Sequence, residues 1–195
     1  MRIITGTARG KVLKTLEGEA TRPTAEKVKE AVFSAIQFDI EGRRFLDLFA
    51  GSGQMGLEAL SRGASHATFI DASLDAMAVV KENAKKTGFF ECSHFLVSDY
   101  RNYIRKAEGR DRFDLIFIDP PYAERIAADA IERILKASLA ADGAIFVAES
   151  EEEDIFASKK ELQEKFETVK KKKYGRTYIT ILRLCPVSEI KEASV

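Results

Sequence analysis

The feature that most constrains the fold of this chain is an alternation of two hydrophobic patterns, which begins at Arg44. Short, nearly continuous apolar runs are typical of parallel strands buried on both faces, and they alternate with longer segments whose apolar residues recur at helical spacing. The apolar runs are residues 45–50, 67–70, 95–97, 115–118 and 144–148, and the helical segments are residues 55–60, 74–86, 100–107 and 127–139. This alternation predicts an open α/β sheet whose crossovers are right-handed.

The residues after this alternation predict a short helix and a closing hairpin. Ser150 and Glu153 have the spacing of a capping box, which predicts a helix that starts after Ser150. Residues 168–173 and 177–184 are β-prone segments on either side of Tyr174-Gly175-Arg176, and they predict a hairpin. We therefore expect a parallel sheet that ends in an antiparallel hairpin.

The first 40 residues do not share the alternation. Residues 3–8 and 11–16 flank Arg9-Gly10 and predict a hairpin, and Thr24 is expected to cap a helix that follows it. The chain is thus predicted to have three parts. These are an N-terminal appendage packed on the main domain (residues 1–40), an α/β domain (residues 41–186) and a C-terminal tail (residues 187–195).

Composition excludes several classes of protein. With 195 residues, 45% of them hydrophobic, the chain can bury a substantial core, and no apolar run approaches the ~20 residues of a membrane span. Cys92 and Cys185 form neither a disulfide framework nor a metal-binding pair, and no cleavable apolar segment stands near Met1. We therefore expect a protein of the reducing cytoplasm without a bound metal.

The overall balance of charge conceals two basic ends. The chain carries 31 Lys+Arg and 31 Asp+Glu, which by itself disfavours a nucleic-acid partner. Residues 1–30, however, hold seven basic and four acidic side chains, and residues 168–185 hold six basic and no acidic ones, whereas residues 123–167 hold six basic and twelve acidic ones. Such asymmetry is typical of nucleic-acid contact, although lysines along the exposed edge of a sheet produce the same pattern.

A glycine-rich loop follows the first apolar run. Gly51, Gly53 and Gly56 match the G-x-G-x-x-G pattern between a predicted strand and a predicted helix, although glycines that merely turn the chain can match it too. Asp71 ends the next apolar run, 20 residues after Gly51, where a carboxylate can accept hydrogen bonds from ribose hydroxyls. The loop is therefore expected to bind a cofactor that contains adenosine, which is true of both NAD and S-adenosylmethionine.

Asp47 discriminates between these two cofactors. A carboxylate just before the glycine turn would repel a pyrophosphate at the helix N-terminus but would attract the ammonium group of a methionine moiety. An oxidoreductase also lacks an evident proton relay, because His66 and His94 stand at predicted strand starts, away from a site at the carboxyl ends. The loop thus favours S-adenosylmethionine. Asp99, after the third run, is expected to accept from the adenine amino group, to cap the next helix, or both.

The most specific motif is Asp119-Pro120-Pro121-Tyr122, which follows the fourth apolar run. Consecutive prolines cannot continue a helix, so the chain should leave the sheet in a stiff extended turn, although such a turn can also simply end a strand. The Asp119 carboxylate and the Pro120 carbonyl can accept both N–H groups of a planar exocyclic amine while the Tyr122 ring stacks on the base. The nitrogen lone pair would then attack a sulfonium methyl in line.

These motifs together resemble those of class I S-adenosylmethionine-dependent methyltransferases that act on amino nitrogens. Further segments narrow the resemblance to the RsmD-type family of bacterial ribosomal RNA methyltransferases, whose members methylate the N2 atom of a guanine in small-subunit (16S) ribosomal RNA. The resemblance covers nearly the whole chain. The further segments that narrow it are Arg2-Ile3-Ile4-Thr5-Gly6 with Arg9-Gly10, Arg22-Pro23-Thr24 with Val28-Lys29-Glu30 and Phe33, and Gly56-Leu57-Glu58-Ala59-Leu60-Ser61-Arg62-Gly63.

The resemblance implies a Rossmann-like sheet in the order 3-2-1-4-5-7-6 with the last strand antiparallel, and a monomeric enzyme whose N-terminal hairpin helps to grip RNA. Carried over by position, the cofactor would be surrounded by Asp47, Phe49, Gly51, Ser52, Gly53, Asp71 and Asp99, and the guanine amine would be held by Asp119, Pro120, Pro121 and Tyr122. The family often has Phe where this chain has Tyr122, and both residues provide a ring. Arg22 and Thr24 match a family motif near the mouth of the site.

Two alternatives stay open beside this interpretation. An adenine-N6 methyltransferase would use the same motif, because the motif recognises an amine and not a particular base, but no segment is long enough for a target-recognition region. An RNA-binding domain without catalysis is disfavoured by the presence of Asp119 and Gly51. For RNA contact we expect Arg2, Arg9 and Lys11 in the N-terminal hairpin, Arg22 and Thr24 near the site, and Arg176 in the closing turn.

Overall fold

The computed structural model describes residues 1–16, 23–121 and 126–186. Its strands are β1 (Arg44–Asp47), β2 (His66–Asp71), β3 (Ser93–Val97), β4 (Phe113–Ile118), β5 (Ala140–Ser150), β6 (Phe166–Tyr174) and β7 (Thr177–Leu184). Its helices are α1 (Pro23–Ala35), α2 (Gln54–Ser61), α3 (Leu74–Thr87), α4 (Tyr100–Ala107), α5 (Ile126–Lys136) and α6 (Lys160–Gln163).

The strands form one sheet in the order β3-β2-β1-β4-β5-β7-β6. Strands β1 to β5 pair in parallel, and β7 runs antiparallel to both β5 and β6. The predicted class I methyltransferase fold is therefore confirmed, including the strand order and the antiparallel last strand. Parallel strands place their carboxyl ends at one edge of the sheet, which we call the carboxyl edge.

Helices cover both faces of the sheet, as expected when the strands are apolar on both sides. One face carries the first core cluster, in which α1, α2 and α3 pack on alternate residues of the strands such as Phe45, Val147 and Ile181. The opposite face carries the second cluster, in which α4 and α5 pack on intervening residues such as Leu46 and Phe146. The alternation along each strand thus decides which face every side chain joins.

The N-terminal residues pack into the first core cluster. The backbone N–H of Ile3 donates to Lys11 (2.9 Å), that of Gly10 donates to Ile3 (2.9 Å), and Arg2 and Val12 form an isolated antiparallel bridge. The predicted hairpin is thus present as a short loop rather than as two regular strands. Ile3 and Leu13 are buried in the same cluster as the strands, so this segment shares the core of the main domain.

Two predicted helix starts are wrong. After Ser150 the chain makes bends and turns until α6, because the Ser150 hydroxyl accepts from the backbone N–H of Glu152 (2.9 Å) and Asp154 accepts from Phe156 (3.0 Å). Such local side-chain bonds compete with helix formation. Thr24 does not precede α1, since the helix already begins at Pro23, whose fixed φ and missing N–H suit a first helical turn.

The described ranges contain no helix that is both long and apolar enough to cross a bilayer. Within those ranges, no group of three or more His, Cys, Asp or Glu side chains is arranged to hold a metal ion. Cys92 is exposed, Cys185 is half-buried, and neither forms a disulfide.

Candidate cofactor and amine site

The glycine loop between β1 and α2 owes its shape to three glycines. Gly51 and Gly53 have φ angles of 52° and 76°, in the left-handed region that other residues rarely adopt. A Cβ atom on Gly56 would lie 2.4 Å from Cε1 of Phe69, so this glycine lets α2 pack closely on β2. The pattern read in the sequence therefore marks a tight turn and a close helix–strand contact, as in nucleotide-binding loops.

Asp47 is a buried carboxylate beneath this loop. Its Oδ2 atom accepts from the backbone N–H of Gly56 (3.2 Å), whereas its buried Oδ1 atom has no hydrogen-bond partner among the described residues. Burial raises the pKa of Asp47 to about 7, an effect that the Gly56 bond opposes and the charge of Asp71 reinforces. An unpaired buried carboxylate oxygen is costly, and a cationic ligand group would relieve it.

Asp71, the last residue of β2, holds the loop in place. Its Oδ2 atom accepts from the backbone N–H of Gly51 (2.9 Å) and its Oδ1 atom accepts from that of Ser73 (2.8 Å). Each carboxylate oxygen has a second lone pair, so hydroxyl groups of a ligand could still donate to it. The sequence predicted a ribose contact but not this brace between β2 and the glycine loop.

Two other predicted cofactor residues, Asp99 and Phe49, lie near the start of α4. Asp99 is exposed and caps the helix, because its Oδ1 atom accepts from the backbone N–H groups of Arg101 (3.0 Å) and Asn102 (3.4 Å). The capping alternative is thus confirmed, and an adenine contact stays a prediction. The half-buried Phe49 ring lies 5.3 Å from the ring of Tyr100.

The amine motif begins directly after β4. Asp119 and Pro121 are exposed, Pro120 is half-buried, and none of the three is helical or part of a strand. Tyr122 lies outside the described residues. Strand β4 pairs with β1, so the motif leaves the sheet beside the glycine loop.

Four acidic residues thus stand at or just beyond the ends of four neighbouring strands. Neighbouring strands lie about 4.8 Å apart, so the carboxyl edge brings the glycine loop and the amine motif within reach of one small molecule. His66 is the first residue of β2 and His94 the second residue of β3, so both lie at the opposite edge, as the sequence predicted. The acidic residues are Asp47, Asp71, Asp99 and Asp119.

A buried charge network fastens the N-terminal segment to α1 and α2, and the sequence did not predict it. Glu58 is fully buried and accepts from the backbone N–H groups of Ile4 (2.8 Å) and Thr5 (3.1 Å) and from the side chain of Arg62 (2.8 Å). Lys29 Nζ lies 3.6 Å from Glu58 and donates to the Arg2 carbonyl (2.6 Å). Burial lowers the pKa of Lys29, although Glu58 and Glu26 counteract this.

Asn83 on α3 links the N-terminal segment to the glycine loop. Its side-chain amide accepts from the backbone N–H of Lys14 (2.8 Å) and donates to the carbonyls of Lys14 (2.9 Å) and Ser52 (2.9 Å). The Ser52 hydroxyl also contacts Met1 Sδ (3.9 Å). Ser52 therefore has a structural role in this region, and a cofactor contact for it stays a prediction.

The predicted RNA contacts differ in what they touch. Lys11 Nζ donates to the carbonyls of Lys86 (3.2 Å) and Thr87 (3.0 Å) at the end of α3, and Arg2 lies 3.9 Å from Glu26. Two others, in the N-terminal loop and in the turn between β6 and β7, are also exposed but form no ion pair within the described residues. These two are Arg9 and Arg176, whereas Arg22 and the side chain of Thr24 lie outside the described residues.

A family profile described as "Conserved hypothetical protein 95" matches residues 1–183. The chain belongs to this family. It is 32% identical to "Ribosomal RNA small subunit methyltransferase D" of Escherichia coli K12, over 79% of this chain and 76% of that protein. It is 31% identical to the protein of the same name from Haemophilus influenzae, over 78% of this chain and 80% of the relative. The resemblance to RsmD-type proteins is therefore confirmed.

Solved structures agree with the fold. The yhhF protein from Escherichia coli superposes with a TM-score of 0.82 and 27% identity, over 95% of this chain and 98% of that chain. SMU.776, which was crystallised with SAH, superposes with a TM-score of 0.66 and 15% identity, over 83% of this chain and 49% of that chain. At this lower identity the likeness concerns the fold alone.

Proposed function

We propose that this protein transfers a methyl group from S-adenosylmethionine to the exocyclic N2 amine of a guanine in small-subunit ribosomal RNA. The observation that carries the proposal is the position of Asp119-Pro120-Pro121 at the end of β4, beside β1 and its glycine loop. Relatives named ribosomal RNA small subunit methyltransferase D support the same substrate class. We expect the enzyme to act as a monomer in the cytoplasm.

The residues of the glycine loop fit S-adenosylmethionine. The unpaired Oδ1 atom of Asp47 would accept from the ammonium group, and Asp71 would accept from the ribose hydroxyls. The left-handed turn at Gly51 and Gly53 lets backbone approach the ligand without a side chain in between. Phe49, Ser52 and Asp99 would complete the surroundings. The cofactor supplies a methyl group on a positively charged sulfur atom.

The residues after β4 would position the amine. The Asp119 carboxylate and the Pro120 carbonyl would accept one N–H each, which would turn the nitrogen lone pair out of conjugation with the base, and the Tyr122 ring would stack on that base. The nitrogen lone pair held in this way would attack the methyl carbon, and the electron pair of the C–S bond would stay on sulfur. Asp119 stabilises the positive charge that develops on nitrogen until the proton leaves.

Cationic side chains would hold the RNA backbone. Phosphates attract Arg and Lys, and such contacts make the affinity decrease as the salt concentration rises. Arg9 and Arg176 are exposed, which suits this role. The residues that we propose for RNA contact include Arg2, Arg9, Lys11, Arg22 and Arg176, together with the uncharged Thr24.

The Asp119→Ala variant tests the assignment of roles. Removal of this acceptor should lower the rate of methyl transfer by roughly 100-fold or more, because one well-placed electrostatic contact has about that effect. Binding of S-adenosylmethionine, measured by calorimetry, should stay nearly intact. Asp142→Ala, at the exposed start of β5 and far from the carboxyl edge, is the matched control. Lost cofactor binding with normal turnover of the remaining complex would contradict the assignment.

The second candidate is an adenine-N6 methyltransferase, because the amine motif accepts N–H groups without selecting the base. Incubation of tritiated cofactor with DNA and, separately, with small ribosomal subunits distinguishes the two. We expect label in the subunits and not in the DNA.

A further inference from the structure

Glu149 stands at the carboxyl edge next to the amine motif. In the pairing of β4 with β5, Ile118 lies opposite Ala148. Asp119 directly follows the end of β4, and Glu149 is the next residue of β5. Neighbouring strands lie about 4.8 Å apart. A base whose amine reaches Asp119 would therefore have Glu149 within range of the adjacent atoms of its edge.

The side chain of Glu149 lies on the same face of the sheet as helix α2, which follows the glycine loop. Ile145 and Val147 join the first core cluster, and alternation along β5 places Glu149 on that face as well. Its partner on β7, Ile179, belongs to the same cluster. Asp47 lies on this face too, because it follows Phe45 by two residues. Glu149 and Asp47 thus flank the β4 end from either side.

No structural need within the described residues explains this carboxylate. Glu149 is half-buried, yet it makes no ion pair or side-chain hydrogen bond in the parts of the chain that the structure describes. Burial without a compensating cation raises its pKa. A half-buried acidic group on the apolar face that carries Val147 and Ile179 costs stability unless a ligand donates to it. This is typical of a residue kept for recognition.

We propose that Glu149 accepts a hydrogen bond from N1–H of the target guanine and so selects guanine over adenine; this inference rests on the proposed function. Guanine carries N1–H and the N2 amine as neighbouring donors on one edge, whereas adenine has an acceptor at N1 beside its amine. An ionised carboxylate is only an acceptor, so it pairs with the guanine edge and faces an unpaired lone pair in adenine. Enzymes that act on an extruded base read this edge by hydrogen bonds.

An RNA substrate with 2-aminopurine at the methylated position tests this inference. This base keeps the 2-amino group but has a lone pair in place of N1–H. At alkaline pH, which keeps the carboxyl group ionised, the wild-type enzyme should prefer guanine in kcat/KM by roughly 10- to 100-fold, the value of a hydrogen bond to a charged group. Glu149→Ala should lower kcat/KM for guanine by a similar factor and leave 2-aminopurine nearly unchanged, so that the preference approaches one.

Two further variants make the result specific. Glu149→Gln keeps an acceptor without the charge and should retain an intermediate preference for guanine. Glu151→Ala removes an exposed carboxylate two residues further along the chain and should leave the preference unchanged. Should Glu149→Ala fail to fold, the comparison of the wild type with Glu149→Gln on both bases provides the same test.

Two results would overturn the inference. One is an equal loss on both bases in Glu149→Ala, which would indicate a structural role, and the other is a wild-type preference near one. Failure of the proposed function looks different, because the wild-type enzyme would then not methylate guanine in ribosomal RNA at all.

Discussion

The two basic ends of the chain use their positive charge in different ways. In the N-terminal region three ammonium groups have partners: Lys11 caps α3 through carbonyls, Lys14 lies 2.7 Å from Glu82, and Lys29 is buried against Glu58. On the exposed strand β6, Lys170 and Lys172 have no carboxylate partner within the described residues.

The two faces of the β6–β7 hairpin also differ in what their lysines contact. On the face that carries α1, Lys170 and Lys172 line a small hollow beside Val32, and Lys172 lies over the Tyr174 ring (5.4 Å). On the opposite face, Lys171 lies 3.6 Å from Glu153 in the acidic loop. The β6–β7 turn is at the carboxyl edge, since Tyr178 pairs with Ser150 at the end of β5. Part of the basic charge of the N-terminal region thus has a structural use, whereas Lys170 and Lys172 of the hairpin are available for phosphates.

Among the charged groups of the N-terminal region, the largest effect on stability is expected from Glu58→Ala. Removal of one partner leaves Lys29 buried without its counter-charge and also frees the N–H groups of Ile4 and Thr5. The free energy of unfolding should fall by about 3–5 kcal/mol in urea titrations. Lys14→Ala, which breaks only the exposed pair with Glu82, should cost no more than about 1 kcal/mol. Similar losses in both variants would refute the distinction.

The next effect concerns the buried Asp47. Its pKa is raised from 3.8 to about 7, so the folded protein binds more protons than the unfolded chain between these values. The free energy of unfolding should therefore decrease as the pH rises from about 4 to about 7, by about 4 kcal/mol in all. Above this range Asp47 is ionised in both states and should cause no further decrease.

Asp47→Asn should abolish this part of the pH dependence, which urea titrations between about pH 4 and pH 8 would reveal. S-adenosylmethionine should reduce it in the wild type, because an ammonium group favours the ionised carboxylate. A wild type and a variant with parallel pH profiles would exclude a raised pKa for Asp47.

The smallest effect on stability is expected in the hairpin. The double variant Lys170→Ala/Lys172→Ala should change the free energy of unfolding by no more than about 0.5 kcal/mol, because both side chains are exposed. RNA binding should weaken, and the slope of log affinity against log salt should lose about 0.7 for each lysine that contacts a phosphate. Filter binding over a salt series measures this.

Lys14→Ala/Lys136→Ala is the matched control for that experiment. Both lysines are exposed but paired, with Glu82 and Glu132. This variant should keep the salt slope of the wild type. An equal decrease in slope would mean that any exposed lysine contributes equally to RNA binding and that the hairpin is not a specific RNA contact.

Local sequence patterns predicted most of the fold. The predicted bounds of β7 and α4 agree with the observed ones. Their apolar residues recur at the spacing of a strand and of a helix, because these residues face the core at regular intervals. Strand β5 is longer than its apolar run, since Asp142 and Gly143 interrupt the pattern near its start. The helix expected after Ser150 failed because side-chain bonds to the neighbouring backbone closed turns instead.

Site residues could be predicted where the neighbouring sequence alone marks them. Asp71 and Asp119 directly follow apolar runs, and Asp47 is the charged residue within the run 45–50 that precedes the glycine turn. The ion pair of Lys29 with Glu58 joins two distant helices, and nothing in the neighbourhood of either residue specifies its partner. A charge within the apolar segment Gly56-Leu57-Glu58-Ala59-Leu60 was the available signal, because α2 is buried nearly all round.

The identity of the methylated nucleoside tests most directly whether the protein methylates the N2 amine of guanine in ribosomal RNA. Small ribosomal subunits that lack the modification would be incubated with the enzyme and labelled S-adenosylmethionine, and the ribosomal RNA would be digested to nucleosides and separated by chromatography. We expect the label to elute with N2-methylguanosine and the Asp119→Ala variant to leave this peak nearly empty. Label in N6-methyladenosine, or label only in DNA offered as an alternative substrate, would contradict it.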